Sequence, residues 1–351
     1  MLPSFKDSGK EGRTMKRKLH ILLLTLTITT LTTLTTIYIP QVHAATLTLT
    51  INCKAQYDLG EQVIINGTLT QDGTPVTDAL VTAQINKPNS TEPWIIRTSP
   101  TGNTSTVHWS LEITNLTTAD SGGNPKTTFN RGEYLGFKVT IKNHDLTPHD
   151  AKLYVSAFYG NEIPFGIQKI WEGTVQAQEQ KTITVWPVFE IPDNAPTGTA
   201  FATANLLTDT PTNGGFAYCP EKTSTFQIES GGGTQPPTPT TQEGTYNITF
   251  RIPDMYAKLG NYTVHVISYY PPLLAQNTTT FEVILVGDLT GPDGEPDGKV
   301  NMRDIALVAR AFGSYPGDPN WNPIADLYPD GKINMRDVAI VARNYGKEAI
   351  P

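Results

Sequence analysis

Apolar and polar side chains alternate with period two through most of this chain. After Ala44, "ATLTLTINC", "EQVIINGTLT", "ALVTAQIN" and "WIIRTS" each place every second residue on an apolar face, which predicts half-buried β-strands. Turn formers separate them: Leu59-Gly60, Asp72-Gly73-Thr74-Pro75 and Pro88-Asn89. Four strands are too few to close a sandwich. Seven more follow between residues 106 and 229: "TVHWSLEITNL", "EYLGFKVTIKN", "AKLYVSAFY", "FGIQKIWEGTV", "KTITVWPVFEI", "GTAFATANLLT" and "KTSTFQIE". By count and spacing that block completes a two-sheet module.

Next comes "SGGGTQPPTPTTQEG", with no apolar residue and therefore a linker, centred on 230–242. Three strands follow it, "TYNITFRI", "GNYTVHVISYY" and "TTTFEVILV". Three cannot stand alone, but four before the central block and three after it make seven. Segments 46–103 and 243–286 are therefore expected to form one discontinuous sandwich, with an immunoglobulin-like module at 106–229 inserted. A string of three small β units is the rival arrangement. The outer halves resemble macroglobulin-like or big immunoglobulin-like modules of surface proteins, through "DGTPVTDALVTAQINKP" early and "GTYNITFRIP…LGNYTVHV" late.

At the C-terminal end the period changes. "VNMRDIALVARAFG" begins at Val300 and "INMRDVAIVARNYG" at Ile333; nine of their fourteen positions are identical. Ile305, Val308, Ala309 and Phe312, like Val338, Val341, Ala342 and Tyr345, follow the i, i+3, i+4, i+7 stripe of an amphipathic helix. Those stripes are expected to pack together into a small all-α module at 287–347. The fold class read from the chain is thus mainly β: two immunoglobulin-like or macroglobulin-like sandwiches, then that module. On the far side of each helix stands an aliphatic flanked by arginines: Arg303, Leu307 and Arg310, then Arg336, Ile340 and Arg343. Presented twice, such a face suits a partner.

A loop precedes each helix. The second, Asp326 to Asp337, has an EF-hand-type frame of twelve residues. Carboxylates stand at positions 1, 5 and 12 (Asp326, Asp330, Asp337), and Gly331 makes the turn at position 6. The Lys332 carbonyl and Asn334 follow at positions 7 and 9. Calcium needs six to eight hard oxygens around it, which a tight turn with inward alternate residues supplies. Aligning "DL" and "PDGK" in the first loop gives Asp288, Thr290, Asp297, the Lys299 carbonyl, Asn301 and Asp304, with "GPDGE" inserted. A compact frame starting at Asp293, with Glu295 at position 3, competes. Asp, Gly and Pro also form ordinary turns, but two copies with carboxylates at 1, 5 and 12 speak for calcium.

This duplicated loop-helix resembles the dockerin type I module. The resemblance implies one calcium ion per copy, two in all, and a pseudo-two-fold pair of F-hands that grips a cohesin-like partner. It further implies contacts from Met302, Arg303, Leu307 and Arg310 and from Met335, Arg336, Ile340 and Arg343. Tyr328 at position 3 and the long first loop depart from the pattern and point to weaker sites. The architecture as a whole also resembles large exported β-proteins of archaea.

Composition narrows the function classes. The net charge is -7 with 17% charged residues, and basic clustering is confined to the N-terminus, which speaks against nucleic acid. From Met15, Lys16, Arg17 and Lys18 precede an apolar run from Ile21 to Ile39, and Val42-His43-Ala44 offers a cleavage site. Residues 1–44 thus read as a signal peptide starting at Met15, with no membrane span after its cleavage. An uncleaved anchor is the alternative, weakened by eight threonines in the run. Export would permit glycosylation at seven sequons (Asn66, Asn89, Asn103, Asn115, Asn247, Asn261, Asn277) and pairing of Cys53 with Cys219.

The six histidines are scattered, and no nucleophile, zincin or phosphate-loop motif occurs. Glu133, Glu162, Glu172 and Glu190 are the carboxylates a glycosidase would need; solvated loop and strand-face positions are the plainer reading. Trp94, Trp171 and Trp186 offer a sugar platform or, more simply, core. The chain therefore reads as a non-catalytic secreted or cell-surface protein attached through calcium to a cohesin-like module. A carbohydrate-binding accessory protein of a polysaccharide-degrading complex, with a glycan partner, is the second reading.

Overall fold

The structure is a computed structural model that describes residues 44–102, 107–229 and 243–350. The signal sequence up to His43, the core of the linker and the sequon at Asn103 lie outside the described residues. The described residues are mainly β, with two α-helices near the C-terminal end.

Strands from both ends of the β region share the first pair of sheets. In one sheet Gln62–Gln71 lies between Leu47–Leu49 and Thr245–Arg251, with the short Thr74–Pro75 alongside. Ile65 faces Ile248 and Val63 faces Phe250 across the antiparallel ladder. The alternation in "QVIINGTLTQ" appears directly as buried Val63, Ile65, Gly67 and Leu69 between outward Ile64, Asn66 and Thr68. The opposing five-stranded sheet runs Gln56–Asp58, Leu273–Ile284, Gly260–Tyr270, Leu80–Asn86 and Pro93–Pro100. Its short first strand, in "AQYDLG", carries too little pattern to be legible and is set by parallel pairing with Glu282–Ile284. Phe281, Tyr262, Phe250 and Tyr57 fill the space between the sheets. Each such burial stabilises by about 1.5–3 kcal/mol.

Residues 111–228 form a second pair. One sheet is Pro164–Val175, His149–Tyr159, Gly198–Leu207, Lys222–Ile228 and Thr128–Phe129; the other is Gln180–Glu190, Tyr134–Asn143 and Leu111–Ala119. Phe137, Val139, Leu153, Val155 and Phe226 lie in its core.

The sandwiches pack on each other, and this corrects one detail of the strand pattern. Leu80–Asn86 reads as half-buried but is buried at every position. Its polar side, Thr82, Gln84 and Asn86, is covered: Thr82 meets Thr98, Gln84 donates to Asn86, and Thr212 of the second module donates to Gln84. At the same joint Arg97 forks onto Glu221 at 2.8–3.1 Å and donates to the Thr249 carbonyl. Burial opposes the Arg97 charge, but Glu221 outweighs it and holds the guanidinium firmly protonated.

The two cysteines do not pair. Cys219 is buried in the second core and Cys53 packs against the first, so the bridge that export would permit is not formed. Burial pushes the Cys219 thiol up to about 12. Among the described residues no helix is long and apolar enough to cross a membrane.

Candidate calcium centres and docking face

Helix α1, Met302–Ala311, and helix α2, Met335–Asn344, start in the same way. Asn301 and Asn334 cap them: each side-chain oxygen accepts the backbone N–H two residues on, at 2.9 Å. Asp304 and Asp337 reach back to the N–H of the capping asparagine at 2.7 and 2.8 Å, closing a reciprocal box. Their negative charge also suits the helix N-terminus. Both are completely buried, and each ties the loop to the helix: Asp304 accepts Leu289 and Thr290, and Asp337 accepts Tyr328.

The copies cross-pair. Gly313 donates to the Ile333 carbonyl and Ile333 to that of Ser314; in the mirrored pair Gly346 donates to Val300 and Val300 to Lys347. The residue entering each helix thereby binds the residues leaving the other, a pseudo-two-fold exchange.

Position 1 of each loop binds the turn glycine. Asp288 accepts Gly298 N–H at 2.8 Å, and Asp326 accepts Gly331 N–H at 3.1 Å. Asp288 also accepts Asp297 N–H. Asp293 caps its own loop by accepting Glu295 N–H at 3.3 Å, and both of those side chains are exposed. The matched bonding of Asp288 and Asp326 favours the frame that begins at Asp288. Burial raises the Asp288 carboxyl above the ordinary range; the Gly298 and Asp297 N–H groups oppose this, while the Asp304 and Asp297 charges add to it.

Among the described residues no group of three or more His, Cys, Asp or Glu side chains gathers tightly enough to hold an ion by itself. EF-hand-type sites draw on backbone and amide oxygens as well, so calcium needs no such cluster. Two atoms fit an oxygen-liganded cation: Asp297 Oδ1 and Asp326 Oδ1 are buried acceptors without a donor. The donor set is entirely oxygen. Thr290 stands at position 3 of the first loop and Tyr328, its ring against Arg336, at position 3 of the second, and the Lys332 carbonyl accepts Asn334 Nδ2 at 3.4 Å.

The packing stripe differs from the expected one. Val308 and Ala311, and Val341 and Asn344, are buried, whereas Phe312 is 47% and Tyr345 52% exposed. The i+7 spacing assumes a helix that continues. Both helices end one residue earlier, and Phe312 and Tyr345 adopt extended angles (φ -57, ψ 133 and φ -54, ψ 130) that turn them outward. The glycine following each, Gly313 and Gly346, at positive φ, was the available signal.

The tail's core is not its own either. Val300, Val308, Ala311, Ala325, Ile333 and Val341 join the cluster that holds Tyr57, Leu59 and Leu285 of the first sandwich. Asn344 Nδ2 donates to the Val286 carbonyl at 2.8 Å and Lys347 Nζ to that of Leu59 at 2.6 Å. Ala349–Ile350 adds a parallel pairing to Ala257–Lys258.

On the expected partner face, Met302 is 62% and Met335 66% exposed. Arg303, Arg310, Arg336 and Arg343 are exposed too; Arg303 and Arg336 lean back toward Asp297 and Asp330 at 3.9 and 3.4 Å. Leu307 and Ile340 are half-buried rather than free, and Leu307 packs on the core. Exposed Tyr315, Ile324 and Tyr328 were missed, since lone loop aromatics carry no periodicity.

The other candidates stand apart. Glu133 pairs with Lys126, Glu172 with Lys169, and Glu190 accepts Tyr134; Glu162 accepts Gln62 and Thr249, so no two of these carboxylates face each other. Trp94 packs against Phe250 and Tyr262, Trp171 packs against the second core, and Trp186 is exposed beside Tyr134.

The tail is a dockerin: the sequence model of the dockerin type I domain matches residues 292–344. That span takes in Asp293 and Glu295 but begins past Asp288. No curated protein matches the chain. Among solved structures, a type II cohesin–X-dockerin complex from Acetivibrio cellulolyticus is 29% identical, covering 30% of this chain and 70% of that one with a TM-score of 0.18. Alkylpurine DNA glycosylase AlkC of Pseudomonas fluorescens is 15% identical over 35% of this chain and 31% of its own, with a TM-score of 0.26. Salmonella alpha-2-macroglobulin is 10% identical over 68% and 23%, at 0.21. The chain thus spans about a third or less of the last two. Superpositions this poor carry no argument about fold, and none supports the archaeal side of the resemblance.

Proposed function

We propose that this is an exported, non-catalytic protein whose dockerin takes up two calcium ions and fastens the sandwiches to a cohesin-like protein module. The observation that carries the reading is the duplicated loop-helix whose loops each hold a buried carboxylate oxygen without a donor, Asp297 Oδ1 in the first and Asp326 Oδ1 in the second. The first ion would be held by Asp288, Thr290, Asp297, the Lys299 carbonyl, Asn301 and Asp304. The second would be held by Asp326, Asp330, the Lys332 carbonyl, Asn334 and Asp337. Calcium supplies the positive charge that lets these carboxylates crowd together.

The docking face is Met302, Arg303, Leu307 and Arg310 with its counterpart Met335, Arg336, Ile340 and Arg343. Its chemistry suits a protein: methionines adapt to an apolar surface and arginines fork onto acidic groups. The match to the dockerin type I family supports a cohesin-like partner. Calcium titration of the full chain by calorimetry should find two sites, and capture of cohesin modules should be abolished by EGTA. Uptake of no calcium, or capture of cohesin unaffected by chelation, would refute this reading.

A further inference from the structure

We propose that the cleft between the two sandwiches binds a neutral saccharide. The cleft, of about 610 Å³, lies between Asp78–Leu80 and Tyr269–Pro271 of the first sandwich and Trp109, His149 and Phe216–Tyr218 of the second. That is the size of a small-molecule site. Aromatic rings dominate its walls and are held in place. Phe216 stacks on Tyr269 with centroids 4.4 Å apart and so joins the two modules. His149 meets the Tyr218 ring at 5.7 Å, and Trp109 packs against the small cluster of Leu80, Tyr154, Leu207 and Ala217.

Polarity sets the ligand class. Among the described residues no lysine or arginine lines the cleft. His149 and His108 both turn to Asp145, at 2.8 and 3.7 Å, so both rings are already engaged by a carboxylate. Asp78 is exposed and would repel an anion. The Tyr269 and Tyr270 hydroxyls bind no protein group among the described residues. A flat aromatic wall accepts the C–H face of a sugar ring, while a carboxylate and free phenols serve its hydroxyls. An anionic ligand lacks a counter-charge here, and a purely apolar one would leave these polar groups unpaired on closure.

The test uses the full chain with millimolar glucose, mannose, galactose and their α- and β-linked trimers, followed by saturation-transfer NMR and tryptophan fluorescence. Phenol and glucuronate serve as apolar and anionic probes. At least one neutral saccharide should saturate in the millimolar range or below. Tyr269→Ala should weaken it roughly tenfold, an effect of about 1.4 kcal/mol. Tyr269→Phe and Tyr270→Phe should each weaken it several-fold at unchanged melting temperature, which separates lost contact from lost folding. Binding should persist in EGTA, so failure of the dockerin reading leaves it intact. Absence of saccharide binding, binding indifferent to all three variants, or preference for phenol or glucuronate would overturn the proposal.

Discussion

The two loop-helix copies differ most where they meet the rest of the protein. Ala311 of the first corresponds to Asn344 of the second, and Ser314 to Lys347. Ser314 satisfies itself locally on the Ala311 carbonyl, whereas Asn344 and Lys347 reach the Val286 and Leu59 carbonyls of the sandwich. The identical residues, from the capping asparagine to the buried aspartate, build the same local geometry twice. The departures give the second copy side-chain hydrogen bonds to the sandwich, at Asn344 and Lys347, that Ala311 and Ser314 of the first do not make. Repetition therefore specifies the motif, and its exceptions specify the attachment.

Calcium removal should have the largest effect. At 100 times its dissociation constant, each ion adds about 2.7 kcal/mol, so chelation should cost the tail about 5 kcal/mol. Because its core continues into the sandwich, the full chain should keep more helical circular dichroism in EGTA than the isolated segment 287–347. Equal losses would show that the shared core gives no support.

Next come the buried aspartates, compared in EGTA by urea unfolding. Asp304 satisfies three backbone N–H groups and Asp337 two. With about 1–3 kcal/mol at stake per buried group left unpaired, Asp304→Ala should cost about 3 kcal/mol or more and Asp337→Ala about 1 less. The reverse order would mean that the longer first loop rearranges to satisfy its donors.

Asn344→Ala should cost about 1–2 kcal/mol, because it strands the Val286 carbonyl in a partly buried setting. Differential hydrogen exchange should place the loosening at the sandwich junction, around Leu59 and Lys347, and not at α1. Protection lost equally across both helices would contradict the asymmetric attachment.

The smallest difference lies at the loop rims. Arg336 sits 4.8 Å from the Tyr328 ring centroid, whereas the matching place in the first loop holds Thr290, which has no ring to offer Arg303. Arg336→Ala should cost about 0.5–1 kcal/mol by thermal unfolding and Arg303→Ala nearly nothing, since exposed cation–π contacts are worth no more. Both should weaken capture of the partner, because each removes one arginine from the proposed face.

Much of the local structure was legible beforehand. The alternation in "QVIINGTLTQ" and "TYNITFR" and the period change at Val300 mark strands and helices, because burial of one face leaves a trace at every second or every third and fourth residue. Asn three residues before Asp, in "NMRD", announces both helix starts. The same reasoning failed at Phe312 and Tyr345, which continue the stripe in the sequence after the helix has stopped. It failed at Leu80–Asn86 as well, where the polar side of an alternating strand lies against Thr212 and the second module instead of water. Strand counting could raise the idea that the outer segments share sheets, but it held no information on register.

What the sequence determined by itself is therefore whatever depends on residues close along the chain: the strand and helix periods, the capping boxes, and the order of oxygen donors around each turn glycine. Only the tertiary structure decided that Asn344 and Lys347 dock on the sandwich, that Cys53 and Cys219 lie in separate cores, and that Phe216 stacks on Tyr269 across a cleft. The physical reason is that a pattern of apolar and polar residues records that a face is covered, while the identity of the cover depends on groups tens to hundreds of residues away, whose approach leaves no period in the chain.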